Sequence, residues 1–127
     1  MNTGARRRMH DRRQAERRGR RAENRAALLL RLKGYRLLAR RYRCPAGEID
    51  IVARRGRLLV AVEVKARDTL DAAAFAIDAR QQARITRATE HFLAANPMYA
   101  ERDIRFDAVL VSTGGLPRHV PDAWRIE

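Results

Sequence analysis

Two acidic residues and one lysine stand inside otherwise apolar segments of the chain. Asp50 precedes an Arg-Gly pair, and Glu63 and Lys65 follow it. Carboxylate oxygens are ligands that Mg²⁺ and Mn²⁺ prefer, and Mg²⁺ usually takes one or two carboxylates plus a phosphate oxygen. A neighbouring ammonium group can stabilise the negative charge that develops when a phosphodiester is attacked. These residue types therefore favour metal-dependent chemistry on phosphate esters, with the backbone carbonyl of Val64 as a further ligand.

The apolar segments predict a β-hairpin over Gly47–Lys65, with its turn at Arg55-Gly56. Side chains alternate along a strand, which places Ile49 and Ile51 on one aliphatic face and Asp50 on the opposite, charged face. A turn centred on Arg55-Gly56 pairs position 54 with 57 and position 50 with 61. In this register Asp50 and Glu63 are diagonal neighbours on one face, roughly 7–8 Å apart between Cα atoms. Both carboxylates are then expected to reach one divalent ion.

The charge of the chain is strongly positive and unevenly placed. The 127 residues carry a net charge of +13, and the first 25 contain ten arginines against three acidic residues. Such a balance predicts a polyanionic partner, with nucleic acid ahead of a ribosome or an anionic membrane surface. We interpret residues 1–18 as a basic arm, disordered or partly helical, and residues 19–127 as one domain large enough for a hydrophobic core.

Cysteine, histidine and hydropathy patterns bear on location and metal class. The single Cys44 excludes an internal disulfide and fits a reducing compartment. Three histidines are too few for a Cys/His zinc cluster. No segment approaches the ~20 apolar residues of a membrane span, and the N-terminus lacks the apolar core of a secretory signal. We expect a cytoplasmic protein with no membrane partner.

Further elements flank the predicted hairpin. The patterns predict a helix over 19–33, a strand over 35–43, a helix over 70–95, a strand over 104–111 and a short edge strand over 124–126. The order α-β-β-β-α-β predicts an α/β fold. Because a right-handed crossover through the long helix places the last main strand parallel to a neighbour, we expect a small mixed sheet flanked by helices.

Two polar side chains on the predicted helices point towards this sheet. At 100° per residue, Glu23 falls near the centre of the apolar face of the first helix, and Gln82 falls with Phe75 on the inward face of the long helix. A carboxylate so placed is costly unless it is paired or bound to metal. The alternative is that Glu23 lies partly exposed in the first helical turn, where it favours the helix dipole. Spacing alone leaves both interpretations open.

Six short motifs resemble those of the YraN family of small bacterial proteins. They are Gly19-x-x-Ala22-Glu23, Gly34-Tyr35, Gly47-Glu48-Ile49-Asp50, Val62-Glu63-Val64-Lys65-x-Arg67, Gln82-x-Arg84-Ile85 and Arg105-Phe106-Asp107. Proteins of that family resemble minimal members of the PD-(D/E)XK nuclease superfamily, and their organisation is similar to that of archaeal Holliday-junction resolvases. The resemblance implies a restriction-endonuclease-like αβββαβ core. Two positions depart from the pattern: Gln81 stands where lysine is common, and Arg41 where asparagine is common.

The resemblance also implies roles for individual residues. Asp50 and Glu63 would be the carboxylate ligands of Mg²⁺ or Mn²⁺, and Lys65 the catalytic lysine. Glu23 would be the acidic residue of the first helix, and Gln82 a polar helper on the second. The basic residues expected to contact nucleic acid are Arg20, Arg21, Arg67 and Arg84.

The expected function is that of a divalent-metal-dependent nuclease-like protein that binds DNA, at branched or damaged structures. One alternative is a non-catalytic nucleic-acid-binding module of the same fold, whose charged strand face is merely solvated. Another is a basic RNA- or ribosome-associated protein, which the lack of an aromatic RNA-reading platform disfavours. Similarity to resolvases also suggests a homodimer, since two-fold symmetry suits a branched substrate.

Overall fold

The computed structural model describes residues 3–125, which form a five-stranded mixed sheet flanked by helices. The elements are α1 (Thr3–Leu32), β1 (Arg36–Cys44), β2 (Gly47–Arg55), β3 (Leu58–Arg67), α2 (Leu70–Phe75), α3 (Ala79–Ala95), a 3₁₀ turn (Pro97–Tyr99), β4 (Asp103–Ser112) and β5 (Arg118–Trp124). The strands lie in the order β1-β2-β3-β4-β5. Strands β3 and β4 are parallel, and the other neighbours are antiparallel. The predicted fold class is confirmed.

Each face of the sheet carries one helical layer. Helix α1 packs Ala22, Ala26 and Leu30 on the face that includes Val60 and Val62. These three helical residues are spaced four apart, so they form one stripe, and the small alanines let the helix approach the strands. Helix α3 packs on the opposite face, where its buried residues are Ile85, Ala88, Thr89 and Phe92. The layers explain why the central strands are buried on both sides.

Helix α1 begins at Thr3, not at Gly19 as predicted. Arginine is a good helix former, and an interior glycine costs only about 1 kcal/mol relative to alanine, so Gly19 does not end the helix. Residues 6–21 are exposed, which means that the added turns contact solvent instead of the core. The described part of the arm is therefore a helical extension of α1.

The register of the β2–β3 hairpin differs from the prediction by two residues. Arg55 pairs with Leu58, and Ile51 pairs with Val62, so the turn consists of Gly56 and residue 57. Gly56 has φ = 60° and the residue after it has no positive φ, which is the pattern of a two-residue type II′ hairpin loop with glycine at its first central position. A shift of two preserves the face of every side chain, because the period of a strand is two.

The long helix predicted over 70–95 is broken into α2 and α3. Asp78 begins the second helix, since its side chain accepts a hydrogen bond from the backbone N–H of Gln81 at 2.9 Å. An aspartate in this position satisfies an amide at the start of a helix that has no partner within it. Because of the break, the residues of α2 do not continue the helical periodicity of α3. As a result Phe75, predicted to face inward, is 85% exposed.

The last strand also lies earlier than predicted. Strand β5 occupies Arg118–Trp124 and pairs antiparallel with β4, whereas the prediction was residues 124–126. Trp124 stacks on Phe106 with ring centroids 5.4 Å apart, which anchors the C-terminal end of β5. Ile126, part of the predicted strand, lies outside the described residues. None of the helices within residues 3–125 is both long and apolar enough to cross a membrane.

Candidate active site

Strands β2 and β3 part at Asp50. Their pairing ends at Ile51 and Val62. Beyond that point Oδ2 of Asp50 accepts the backbone N–H of Val64 at 2.8 Å, so a side chain replaces a backbone partner. Alternation also breaks here, since Ile51 packs on the α1 face whereas Ile49 packs on the α3 face. The prediction that both isoleucines share one face is wrong, because Ile49 lies beyond Ile51, where β2 is no longer paired with β3.

Glu63 is the centre of the polar contacts at this gap. Its carboxyl group lies beside that of Asp50, to which it can donate a hydrogen bond when it is protonated. Its Oε1 lies 3.2 Å from Nζ of Lys65 and accepts a hydrogen bond from Nε2 of Gln81 at 3.4 Å. Glu63 is 3% exposed, whereas the Lys65 side chain is 20% exposed and reaches solvent. The structure thus brings the two acids and the lysine together.

Burial dominates the electrostatics of the two carboxyl groups. It raises the pKa of Glu63 to about 8, and the negative charge of Asp50 adds to that effect while Lys65 opposes it. Burial likewise raises the pKa of Asp50, against the Val64 amide, which lowers it. Two buried carboxylates in contact repel each other when both are ionised, so a cation between them would stabilise the doubly ionised form.

The donor set fits Mg²⁺ or Mn²⁺. It consists of the carboxylates of Asp50 and Glu63 and the backbone carbonyl of Val64, which follows Glu63 on β3. Within residues 3–125 there is no group of three or more His, Cys, Asp or Glu side chains placed to hold a metal. An ion here would therefore depend on two carboxylates and complete its coordination with water and phosphate oxygens, which is the habit of Mg²⁺.

Glu23 lies beside this site and is held by two arginines. It is 6% exposed, with Oε2 3.0 Å from Nε of Arg41 and Oε1 3.0 Å from Nη2 of Arg40. Because α1 starts at Thr3, Glu23 is in mid-helix, and the first-turn interpretation is wrong. Its buried charge is paired, as a carboxylate in that position requires. In the sequence, the only indication of these partners is the pair of adjacent arginines in the predicted strand.

Arg41 reaches Glu23 from a left-handed backbone. Its φ is 51°, a region that costs most residues roughly 1–2 kcal/mol but suits glycine and asparagine. It lies between Arg40 and Tyr42, which pair with Ile51 and Ile49, so it stands across from Asp50.

Substituting Arg41 should expose this strain. Arg41→Ala and Arg41→Gly both lose the pair with Glu23, but only alanine keeps a Cβ in the left-handed region. We expect Arg41→Gly to be more stable by about 1 kcal/mol in urea unfolding. At Arg43, where φ is not positive, the same two substitutions should rank in the opposite order. Equal ranking at both positions would contradict the assignment of strain.

The glutamine at the site is Gln81, not the predicted Gln82. The amide of Gln82 donates to the carbonyl of Ile77 at 3.2 Å, whereas that of Gln81 donates to Glu63. The break before α3 explains the change, because a helix that starts at Asp78 turns a different side chain towards the sheet. A side-chain amide at this position can orient Glu63 without carrying charge.

The predicted nucleic-acid-binding arginines fall into different places. Arg20 lines a cavity of about 340 Å³ together with Glu23, Asp50 and Val64. Two others, at positions 21 and 67, line a cavity of about 500 Å³ on the other side of α1. The fourth, at position 84, is exposed on α3, the helix on the opposite face of the sheet. That the four arginines contact nucleic acid stays a prediction, and Arg84 would do so from the face of the sheet opposite α1.

Comparison with known proteins places the chain among small bacterial proteins. A sequence model of the family described as "Uncharacterised protein family UPF0102" matches residues 22–111. A UPF0102 protein of Parvibaculum lavamentivorans is 59% identical over 111 residues, which cover 87% of this chain and 84% of the relative. One from Bradyrhizobium diazoefficiens is 60% identical over 99 residues, covering 78% and 74%. One from Methylorubrum extorquens is 56% identical over 110 residues, covering 87% and 86%.

Proposed function

The chain belongs to the UPF0102 family, as its resemblance to the YraN family predicted, and we propose that it is a cytoplasmic Mg²⁺- or Mn²⁺-dependent nuclease acting on DNA. The observation that carries this proposal is the meeting of Asp50, Glu63 and Lys65 where β2 and β3 separate. The net charge of +13 supports a polyanionic substrate. Branched or damaged DNA is the structure that similarity to resolvases favours.

The proposed roles follow from the atoms at the gap. Asp50, Glu63 and the carbonyl of Val64 would hold the ion. When bound, such an ion would polarise the scissile phosphate and lower the pKa of a coordinated water. Lys65 would stabilise the negative charge that develops on the phosphate, since its compact ammonium is a mobile point charge. The contact between Glu63 and Lys65, at 3.2 Å, holds that amine beside the ion's ligands.

The surrounding polar residues position these groups. Gln81 donates to Glu63 and fixes one of its oxygens. Glu23 holds Arg41, which stands across from Asp50 at the edge of the cavity. In this arrangement Glu23 orients a guanidinium that can contact a phosphate, and its own buried charge stays paired. Glu23 is therefore proposed as a positioning residue for Arg41.

Metal binding can be tested without any assay of cleavage. Mn²⁺ should raise the melting temperature of the wild type by several degrees at saturation, because a ligand that binds only the folded state stabilises it. Asp50→Ala should lose this increase, since it removes one of the two carboxylates. Asp103→Ala is the matched control: Asp103 is exposed and pairs with Leu58, at the opposite end of the sheet from Lys65. An equal response in wild type and Asp50→Ala would contradict a metal site here.

The second candidate is a non-catalytic nucleic-acid-binding module. It is favoured by the 500 Å³ cavity, which is lined by arginines but by neither Asp50 nor Glu63. This function predicts salt-sensitive DNA binding in Asp50→Ala and no cleavage in the wild type. An RNA- or ribosome-associated role instead predicts that deleting residues 1–18 abolishes binding. The homodimer stays a prediction.

A further inference from the structure

An arginine-lined cavity lies between the exposed half of α1 and the carboxyl ends of the parallel strands β3 and β4. Its volume is about 500 Å³, and its basic lining is Arg17, Arg18, Arg21, Arg25 and Arg67. No acidic side chain of the described residues lines it. Ser112 and Thr113 add hydroxyl groups from the end of β4. The cavity is thus positive and supplied with hydrogen-bond donors.

The charges in this cavity are only partly balanced. Arg18 pairs with Asp68 at 2.9 Å, and Arg25 donates to the carbonyl of Gly115. Within residues 3–125, Arg17 and Arg21 make no ion pair or hydrogen bond through their side chains. Guanidinium groups that share a cavity repel one another, and an anion placed among them would reverse that repulsion. The arrangement therefore favours a bound anion.

The cavity continues towards the proposed site of chemistry. A neighbouring cavity of about 590 Å³ is lined by Arg18, Ala66 and Arg67, which also line the arginine cavity, and it extends to Lys65 and Val64. A groove therefore runs along β3 from the amine to the arginine cluster, beneath α1. A ligand that placed one anionic group near Lys65 would place the next groups along this groove.

We propose that the arginine cavity binds a backbone phosphate of the nucleic-acid strand. This phosphate is a neighbour of the scissile one, and it lies further along the groove that leads from Lys65. The identity of the ligand rests on the proposed function, but the binding step requires neither metal nor hydrolysis. Guanidinium groups suit phosphate because their fixed donors match its oxygens, and the hydroxyls of Ser112 and Thr113 can donate to the same group. Helix α1 then acts as a clamp over the strand, which gives the basic extension a specific task.

The test measures binding in EDTA, so that cleavage cannot interfere. The full chain is titrated into a fluorescein-labelled single-stranded oligonucleotide and its duplex, and anisotropy is followed over a range of salt concentrations. The variants are Arg21→Gln and the double variant Arg17→Gln/Arg21→Gln. Both side chains are exposed, so folding should be unchanged, which circular dichroism checks. The matched control is Arg87→Gln, an exposed arginine on α3 at the other face of the sheet.

We expect Arg21→Gln to weaken binding roughly tenfold, because it removes a charge-assisted hydrogen bond to phosphate. The salt dependence, as the slope of log K against log salt, should fall by about 0.7–0.9 for each phosphate that the variant no longer neutralises. Arg87→Gln should change affinity less than twofold. Equal weakening by Arg21→Gln and Arg87→Gln would contradict a phosphate site in the cavity. It would mean that the overall positive charge of the protein accounts for binding.

A second arm distinguishes a nucleic-acid strand from a small phosphate ligand. Thermal melting with inorganic pyrophosphate reports whether the cavity takes a free phosphate group. If pyrophosphate stabilises the wild type but not Arg21→Gln, while oligonucleotide binding is the same in both, the cavity serves a small anion and the proposal is overturned. If cleavage is absent in Mn²⁺ but oligonucleotide binding still depends on Arg21, the nuclease proposal fails and the phosphate cavity stands.

Discussion

Replacing Lys65 by alanine is expected to lower the rate of DNA cleavage by about 100- to 1,000-fold, the usual cost of removing one group that stabilises charge in a transition state. The ammonium lies 3.2 Å from Glu63 and is partly open to solvent, so it can reach a bound phosphate. DNA affinity should change far less than the rate, because the interaction with Lys65 is strongest when negative charge develops in the transition state. The rate of cleavage and the binding constant, measured on the same oligonucleotides, separate the two effects.

The controls for this prediction use the chain's own matched residues. Lys33 is the other lysine, is exposed, and contacts His119, so Lys33→Ala removes the same charge elsewhere. Cleavage is followed on linear, single-stranded and four-way DNA with Mn²⁺, for wild type and both variants, together with Asp50→Ala. Absence of cleavage in the wild type, or equal cleavage in wild type and Lys65→Ala, would remove the nuclease proposal.

The sequence could place the acids and the lysine because it specifies the face of each residue in a strand. Glu63 and Lys65 are two apart on one strand and must share a face. The predicted register was wrong by two residues, yet the error was harmless, because an even shift does not move a side chain to the other face. A one-residue error would have separated Asp50 from Glu63.

The sequence could not show how the gap opens between β2 and β3. The separation depends on Asp50 accepting the Val64 amide, a hydrogen bond across fourteen positions that no local pattern encodes. It moves Ile49 to the other face of the sheet from Ile51. Regular alternation describes a strand that stays paired, and it fails where a side chain replaces a backbone partner.

Helix periodicity has a related limit. It identified the inward stripe of α1 correctly, but it does not say which face of the sheet a helix covers. Periodicity therefore could not show that Arg84 and Arg21, both predicted to contact nucleic acid, lie on helices that cover opposite faces of the sheet. The capping role of Asp78 likewise does not show within a continuous helical pattern, and as a result the glutamine that contacts Glu63 is Gln81 and not Gln82.

Asp107 is a buried charge that the sequence marked only through the Arg-Phe-Asp motif. It is 0% exposed, and its oxygens accept hydrogen bonds from Nε and Nη2 of Arg105, both at 2.7 Å. Nε2 of His119 lies 2.8 Å away, and the backbone N–H of Asp122 donates at 3.0 Å. These contacts tie β4 to β5. His119, to which the sequence assigned no role, is thus part of a structural network.

Asp107→Asn is expected to destabilise the protein by about 3 kcal/mol at pH 7, because removing one partner of a buried ion pair leaves the other charge uncompensated. Arg105 would lose its ionic partner, while its hydrogen bond to the hydroxyl of Tyr35 would remain. Urea unfolding followed by the fluorescence of Trp124, the single tryptophan, reports directly on β5. Asp103→Asn, at an exposed carboxylate, should change stability by less than about 0.5 kcal/mol.

This destabilisation should shrink in acid. Burial alone would raise the pKa of Asp107, but the hydrogen bonds from Arg105, His119 and the Asp122 amide outweigh it and lower the pKa from 3.8 to about 2. A carboxyl group whose pKa is lower in the folded state stabilises the protein above its unfolded pKa, and that contribution disappears as pH falls through the folded pKa. The difference between wild type and Asp107→Asn should therefore narrow by about 2 kcal/mol between pH 4.5 and pH 2. A difference that stays constant over this range would mean that Asp107 contributes through packing and not through its charge.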